Sequence, residues 1–267
     1  MSIEIKTVKT DRFSMRYFHF GTGARTMVIL PGLSLQSVME LADAVTESYR
    51  SLTEDFTIYL FDRREDLPED YTVYDMGRDT AEAMQALGLR DVSLFGASQG
   101  GMMAQVIAIE YPELVHRLVL GSTSSHVLPE QYAVIEEWIR LAEAKDAVGL
   151  CLDFGRRIYP PAVFEQVRGA LADAGKAATE EELRRFVILA RAIRGFSVVD
   201  RLDRIRCPVL AIGDAGDEVL DADATMEIAE KLDFRPDSRL YLYTGFGHAA
   251  FDTAPDYRKR ILDFCKD

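Results

Sequence analysis

Side chains that build metal centres and disulfide frameworks are scarce in this chain. It has 267 residues but only three cysteines and four histidines. The cysteines, Cys151, Cys207 and Cys265, are far apart and form no C-x-x-C or Cys/His cluster. Because disulfide frameworks and zinc sites need paired or clustered ligands, we expect neither a disulfide nor a metal site.

Long apolar runs and excess positive charge are also missing. No stretch approaches the about 18 apolar residues that span a bilayer, and MSIEIKTVKTDRF at the start lacks the apolar centre of a signal peptide. The 44 acidic residues outnumber the 31 basic ones, giving a net charge of −13. Since such a surface repels phosphate backbones and anionic lipids, we expect a cytoplasmic protein that binds a small molecule, not nucleic acid or a membrane. A homo-oligomer is left open.

Strand and helix patterns alternate along most of the chain. IEIKTV and MRYFHF predict a hairpin, and buried-strand runs occur at TMVILPG, FTIYLFD, VSLFGA, VHRLVLGS, CPVLAIG and SRLYLYTG. This order predicts an α/β fold with a mostly parallel central sheet and helices on both faces. Between about 124 and 200 four helical patterns follow one another instead, the last with a capping-box signature at Thr179 and Glu182. We therefore predict a core of 1–123 and 201–267 with a helical cap, 124–200, inserted in it.

The stretch VSLFGASQGGMMAQ, residues 92–105, matches G-x-S-x-G between a strand and a helix. Gly96 and Gly100 suit a strained turn in which side chains would clash. The N-terminus of the following helix favours developing negative charge near Ser98. The motif predicts an exposed nucleophile, although a tight turn with a small polar residue would look similar.

A serine nucleophile needs a base. His248 follows the last strand in TGFGH, and both it and Ser98 lie at carboxyl ends of strands, where catalytic groups gather. The other histidines, His19, His116 and His126, are interpreted as surface or packing residues.

A third group should orient the imidazole. The loop after CPVLAIG offers two acids, Asp214 and Asp217, and the residues alone leave both open. Either acid gives the chain order Ser, acid, His that α/β-hydrolases use.

Over nearly its whole length the chain resembles the capped α/β-hydrolases, which include small carboxylesterases, enol-lactonases and carbon–carbon bond hydrolases. VSLFGASQGGMMAQVIAIEYPELVHRLVLGS is similar to their nucleophile elbow, and YTGFGHAAFDTAPDY to their histidine loop. The likeness of IRCPVLAIGDAGDEVL to the acid loop implies that Asp217 is the acid. The likeness of MVILPG to the oxyanion turn implies that the backbone N–H groups of Leu33 and Gln99 form the oxyanion hole.

Two stretches depart from the family pattern. Pro31-Gly32 replaces the usual His-Gly, which need not remove a hole built from backbone N–H groups. FDRREDLPED lacks the glycine-rich turn that the family often has, and the charge of residues 62–70 predicts a solvated loop, with a substrate contact at the pocket entrance as the alternative.

The resemblance implies a serine hydrolase that cleaves a small, partly apolar carboxylic ester or lactone through an acyl-enzyme, without a cofactor. The same three residues would serve a carbon–carbon bond hydrolase or an acyltransferase. A ligand-binding protein that keeps the fold without catalysis is the alternative from another class. An apolar substrate pocket between cap and sheet is expected to draw on a few of Trp138, Phe154, Phe164, Phe186, Phe196, Met102 and Met103.

Overall fold

One eight-stranded sheet forms the centre of the protein. The computed structural model describes residues 3–233 and 235–267. Residues 1, 2 and 234, all within the predicted core ranges 1–123 and 201–267, lie outside the described residues. The strand order is β1-β2-β4-β3-β5-β6-β7-β8. The strands are β1 (Lys6–Lys9), β2 (Ser14–Phe20), β3 (Arg25–Leu30), β4 (Phe56–Arg64), β5 (Val92–Ala97), β6 (Val115–Gly121), β7 (Val209–Asp214) and β8 (Ser238–Tyr243).

The sheet is mostly parallel, which confirms the prediction. β1 and β2 form the expected antiparallel hairpin, β2 pairs antiparallel with β4, and the other neighbours pair parallel. Both faces are covered, since Val28 and Leu30 belong to one hydrophobic cluster and Met27 and Ile29 to the other. A strand buried on both faces must be apolar throughout, and this is the pattern that the sequence shows.

The core helices are α1 (Ala42–Ser48), α2 (Val73–Ala86), α3 (Gln99–Glu110), α8 (Asp221–Lys231), α9 (Ala250–Thr253) and α10 (Tyr257–Lys266). Helices α2, α3 and α8 contribute to one hydrophobic cluster, and α1 and α10 to the other. The predicted helices on both faces are thus confirmed. None of the helices in the part of the chain that the structure describes has the length and apolar content needed to cross a bilayer.

Four consecutive helices separate β6 from β7. These helices, which make up the predicted cap and are called the cap helices below, are α4 (Pro129–Glu143), α5 (Ala147–Ile158), α6 (Pro161–Ala177) and α7 (Glu180–Arg191). The capping box before α7 is present, because the Glu182 N–H donates to Thr179 Oγ1 and the Thr179 N–H donates to the Glu182 carboxylate. The cap helices reach the loop beyond β7, where Gln131 Nε2 donates to the Leu220 carbonyl at 2.7 Å.

Candidate active site

Ser98 lies in a sharp turn between β5 and α3. Its φ of 52° is a conformation that favours glycine, and its N–H donates to the Gly121 carbonyl at 2.8 Å. A Cβ on Gly96 would come within 2.3 Å of the Gly100 carbonyl oxygen, and a Cβ on Gly100 within 2.1 Å of the Leu30 carbonyl oxygen. Close packing of the turn against the neighbouring strand and helix therefore requires both glycines of the motif.

A buried carboxylate holds the imidazole of His248. His248 Nδ1 lies 2.8 Å from Asp217 Oδ2, and the two side chains are 5% and 1% exposed. Asp217 Oδ1 accepts the backbone N–H groups of Val219 at 2.8 Å and Leu220 at 3.1 Å. Burial by itself would raise the pKa of Asp217, but His248 and these two donors outweigh it, so the pKa is lowered. The acid is therefore kept ionised against the ring.

Asp214, the other acid of this loop, has a different set of contacts. Its Oδ1 accepts the Gly216 N–H at 2.7 Å, and its Oδ2 accepts the Phe246 N–H at 2.9 Å. It is fully buried and ties the acid loop to the histidine loop. Of the two acids that the residues alone left open, the structure brings Asp217 to His248.

Ser98 and His248 line the same cavity, which has a volume of about 300 Å³. Between these two described side chains there is no hydrogen bond. Such bonds are often long in unliganded enzymes and shorten when the substrate binds. Because Nδ1 of His248 is engaged by Asp217, Nε2 is the ring nitrogen that remains for Ser98.

Two free backbone donors accompany the serine. Leu33 and Gly32 line the cavity, and a Cβ on Gly32 would lie 3.2 Å from Ser98 Cβ. Within the described residues, the backbone N–H groups of Leu33 and Gln99 donate no hydrogen bond. They are therefore free to donate to a ligand, and their role as the oxyanion hole stays a prediction.

Arg63 holds both parts of this donor pair, and the sequence analysis missed it. Its guanidinium Nη2 donates to the carbonyl oxygens of Pro31 at 2.8 Å and Gly32 at 3.3 Å, and to Gln99 Oε1 at 2.8 Å. Gln99 Nε2 in turn donates to the Leu189 carbonyl of α7 at 2.6 Å. Burial lowers the pKa of Arg63 to about 10, so the side chain is a cation at neutral pH. This cation fixes the turn before Leu33 relative to Gln99, the residue after Ser98.

The prediction of a solvated loop over 62–70 was wrong at its first three residues, which belong to β4. Asp62 and Arg63 are each only 4% exposed. Asp62 accepts Ser37 Oγ at 2.5 Å and Arg185 Nη2 of α7 at 2.6 Å. Burial would raise the pKa of Asp62, but Arg185, Ser37 and Arg63 together lower it. The charges of Asp62 and Arg63 are buried because each side chain has partners in distant segments of the chain. A local sequence pattern does not reveal such partners.

The remaining histidines lie away from the cavity, in accord with their interpretation as surface or packing residues. His19 stacks on Tyr59, His116 lies 3.2 Å from Asp91, and His126 lies 2.9 Å from Glu227. In residues 3–233 and 235–267, no group of three or more His, Cys, Asp or Glu side chains is arranged to hold a metal ion.

Known proteins share this architecture. Residues 25–255 match the family model described as the alpha/beta hydrolase fold. The chain is 27% identical to the protein named "Putative carbamate hydrolase RutD" from Agrobacterium fabrum, over 92% of this chain and 97% of that one. The alpha/beta hydrolase enzyme MGS-M2 from a Medee basin deep-sea metagenome library superposes with a TM-score of 0.87, covering 98% of each chain at 19% identity. The enol-lactonase from Burkholderia xenovorans LB400 gives a TM-score of 0.83 at 16% identity, covering 98% of this chain and 100% of that one. The chain belongs to the α/β-hydrolase fold family, and it is a hydrolase of that kind.

Proposed function

We propose that this enzyme is a serine hydrolase that cleaves a small, partly apolar carboxylic ester or lactone through an acyl-enzyme. The observation that carries the proposal is the cavity shared by Ser98 and His248, with Asp217 bonded to the far side of the imidazole. A strained serine beside a carboxylate-oriented histidine is the arrangement that nucleophilic acyl transfer needs.

The reaction proceeds in two halves. His248 Nε2 takes the proton from Ser98 as Oγ bonds to the carbonyl carbon, and the backbone N–H groups of Leu33 and Gln99 receive the oxyanion. Collapse breaks the bond to the leaving oxygen, which takes the proton from His248 and leaves the acyl group on Ser98. Water then loses a proton to His248 and attacks the acyl carbon. Collapse of this second intermediate releases the acid and returns the proton to Ser98. Asp217 stabilises the charged imidazole in both halves.

The residues that line the cavity favour a substrate with an apolar acyl or alcohol group. Trp138 and Phe154 of the cap helices and Met102 of α3 line the cavity, as do Leu33 and Val219 from the core. We propose that residues 124–200 act as the cap that closes this cavity. Water exclusion by such walls strengthens the electrostatic interactions at the reacting carbonyl.

A fluorophosphonate probe tests the nucleophile. We expect rapid labelling of the wild-type protein and none of Ser98→Ala, with the fold retained. Ser34 also lines the cavity, but its hydroxyl donates to the Gln36 carbonyl at 2.8 Å, so Ser34→Ala is a matched control that should still be labelled. Labelling or turnover that survives in Ser98→Ala would refute the assignment. Inert wild-type protein would favour the non-catalytic, ligand-binding alternative.

The substrate class needs a separate measurement. A panel of p-nitrophenyl esters of graded chain length, lactones, diketones and carbamates separates ester or lactone cleavage from carbon–carbon bond hydrolysis, and an added alcohol reveals acyl transfer. Carbamates are included because of the similarity to RutD over most of both chains. We expect esters or lactones to give the highest kcat/KM. If another class of substrate gives a higher value, that class replaces esters and lactones as the proposed substrate.

We also propose a cytoplasmic location. Cys151, Cys207 and Cys265 are free and buried, which suits a reducing compartment.

A further inference from the structure

A carboxylate outside the proposed triad lines the cavity that Ser98 and His248 share. Asp252 lies in α9, four residues after His248, and lines the cavity together with Tyr49 and Tyr159. Its side chain is 49% exposed. It is charged, whereas most of the other residues that line the cavity are apolar. Since ligand pockets use a few polar groups to orient an otherwise apolar ligand, this carboxylate is placed to select substrates.

The carboxylate of Asp252 lacks hydrogen bonds of its own. Within the described residues no donor lies in hydrogen-bonding position to either carboxylate oxygen. Arg258 Nη2 is 3.7 Å from Oδ1, and Arg258 Nη1 donates instead to the Asp252 backbone carbonyl at 3.4 Å. Although the side chain faces the open cavity, desolvation by the surrounding protein atoms raises the pKa of Asp252, and the charge of Arg258 offsets this only in part. A cavity carboxylate whose oxygens accept no donor from the described residues is open to a donor that a ligand brings.

The two tyrosines do not neutralise this charge. Burial and the negative charge of Asp252 raise the pKa of both hydroxyls, that of Tyr159 to about 12. Both side chains therefore remain neutral phenols beside the carboxylate. Arg258, 3.7 Å away, already opposes part of this charge but donates to neither carboxylate oxygen. A cationic ligand that donates to these oxygens would therefore bind there better than a neutral donor.

We propose that Asp252 binds a protonated amine of the substrate, so that the preferred esters or lactones carry a cationic amine away from the scissile carbonyl. The ammonium N–H groups donate to the carboxylate while Ser98 attacks the carbonyl, and apolar walls enclose the chain between them. The net charge of −13 also draws cationic substrates toward the protein. This inference rests on the proposed function of the same site.

The test compares three ester series in the full-length protein. Methyl esters of unbranched ω-amino acids are measured against those of ω-hydroxy acids and of unsubstituted acids of equal length. A parallel series carries the amine on the alcohol part. The wild-type protein should favour the amino ester by about tenfold in kcat/KM at the best length, which is the effect of one hydrogen bond to a charged group.

Variants assign this preference to the cavity carboxylate. Asp252→Asn keeps the shape of the side chain and should bring the ratio of kcat/KM for the amino ester to kcat/KM for the unsubstituted ester down to about one. Asp263→Asn removes the same charge from α10, where the side chain is 59% exposed and outside the cavity, and should keep the ratio. An alkylammonium ion should also inhibit the wild-type protein competitively and more strongly than the alcohol of equal length, a measurement that needs no folded variant.

Failure of this inference differs from failure of the proposed function. No amine preference in either series, a ratio unchanged in Asp252→Asn, or equal inhibition by amine and alcohol would overturn the inference. Hydrolysis of unsubstituted esters that requires Ser98 would still support the proposed function. Hydrolysis that survives in Ser98→Ala would overturn the proposed function instead.

Discussion

Replacing Arg63 with methionine should slow turnover although the guanidinium does not line the cavity. The side chain holds three oxygens, those of Pro31, Gly32 and Gln99, through Nη2. In Arg63→Met the turn that carries Leu33 loses its connection to the residue after the nucleophile. The two proposed oxyanion donors would then be less well aligned with each other.

The contacts set the size of the effect. Each buried acceptor left unpaired costs about 1–3 kcal/mol, and two of the three contacts are as short as 2.8 Å. We therefore expect the free energy of unfolding to fall by about 2–5 kcal/mol. Complete loss of an oxyanion donor costs about 100- to 1000-fold in kcat, so misalignment of a donor that is still present should cost about 10- to 100-fold. KM should change little, because the apolar walls of the cavity remain.

Steady-state kinetics with a p-nitrophenyl ester and urea unfolding measure these two effects separately. Arg64→Met is the matched control, because the neighbouring cation of β4 lies 3.6 Å from Asp79 and donates to the Arg12 carbonyl, away from the oxyanion turn. Arg63→Lys keeps the charge and should restore part of kcat. Wild-type kcat in Arg63→Met, or an equal loss in Arg64→Met, would refute the reasoning.

Three further predictions concern neighbouring features. Asp217→Asn should lower kcat by about 10⁴-fold in ester hydrolysis, because an amide no longer favours the required tautomer of His248; a loss under tenfold would contradict this. Gly100→Ala should yield little folded protein on circular dichroism, since the new Cβ would lie 2.1 Å from the Leu30 carbonyl oxygen. The folded state lowers the pKa of Asp62 below its ordinary 3.8, so protonation favours unfolding. The stabilisation from Asp62 should be complete above pH 3.8 and lost as pH falls through the lowered value, and urea unfolding of Asp62→Asn should lack this component.

The sheet and the sharp turn at Ser98 were predictable because their signals are local. Apolar runs such as VSLFGA are continuous where a strand is buried on both faces, and the glycines around Ser98 report a turn that the chain itself makes. The choice between Asp214 and Asp217 depends on how two loops meet, so the residues alone could not make it.

Charged residues with distant partners were the hardest to interpret. Arg63 bonds to segments about 30 residues away on either side, and its polarity alone indicated solvent. Asp252 lies within the stretch YTGFGHAAFDTAPDY that resembles the histidine loop, yet nothing in its neighbours shows that it lines a cavity. The surroundings of Arg63 and Asp252 can be recognised only in the folded structure, because local sequence patterns indicate burial only for apolar side chains.

The left-handed backbone conformation at Ser98 lowers the stability of the fold, whereas the proposed mechanism requires the serine hydroxyl at this position. A non-glycine residue held at φ 52° costs about 1–3 kcal/mol, and glycine would adopt the same conformation without that penalty. A library of variants sorted only for resistance to heat would therefore enrich Ser98→Gly, and under the proposed mechanism its most stable members would be inactive. Engineering this scaffold for hot conditions requires that the hydroxyl at this position be held fixed and stabilisation be sought elsewhere.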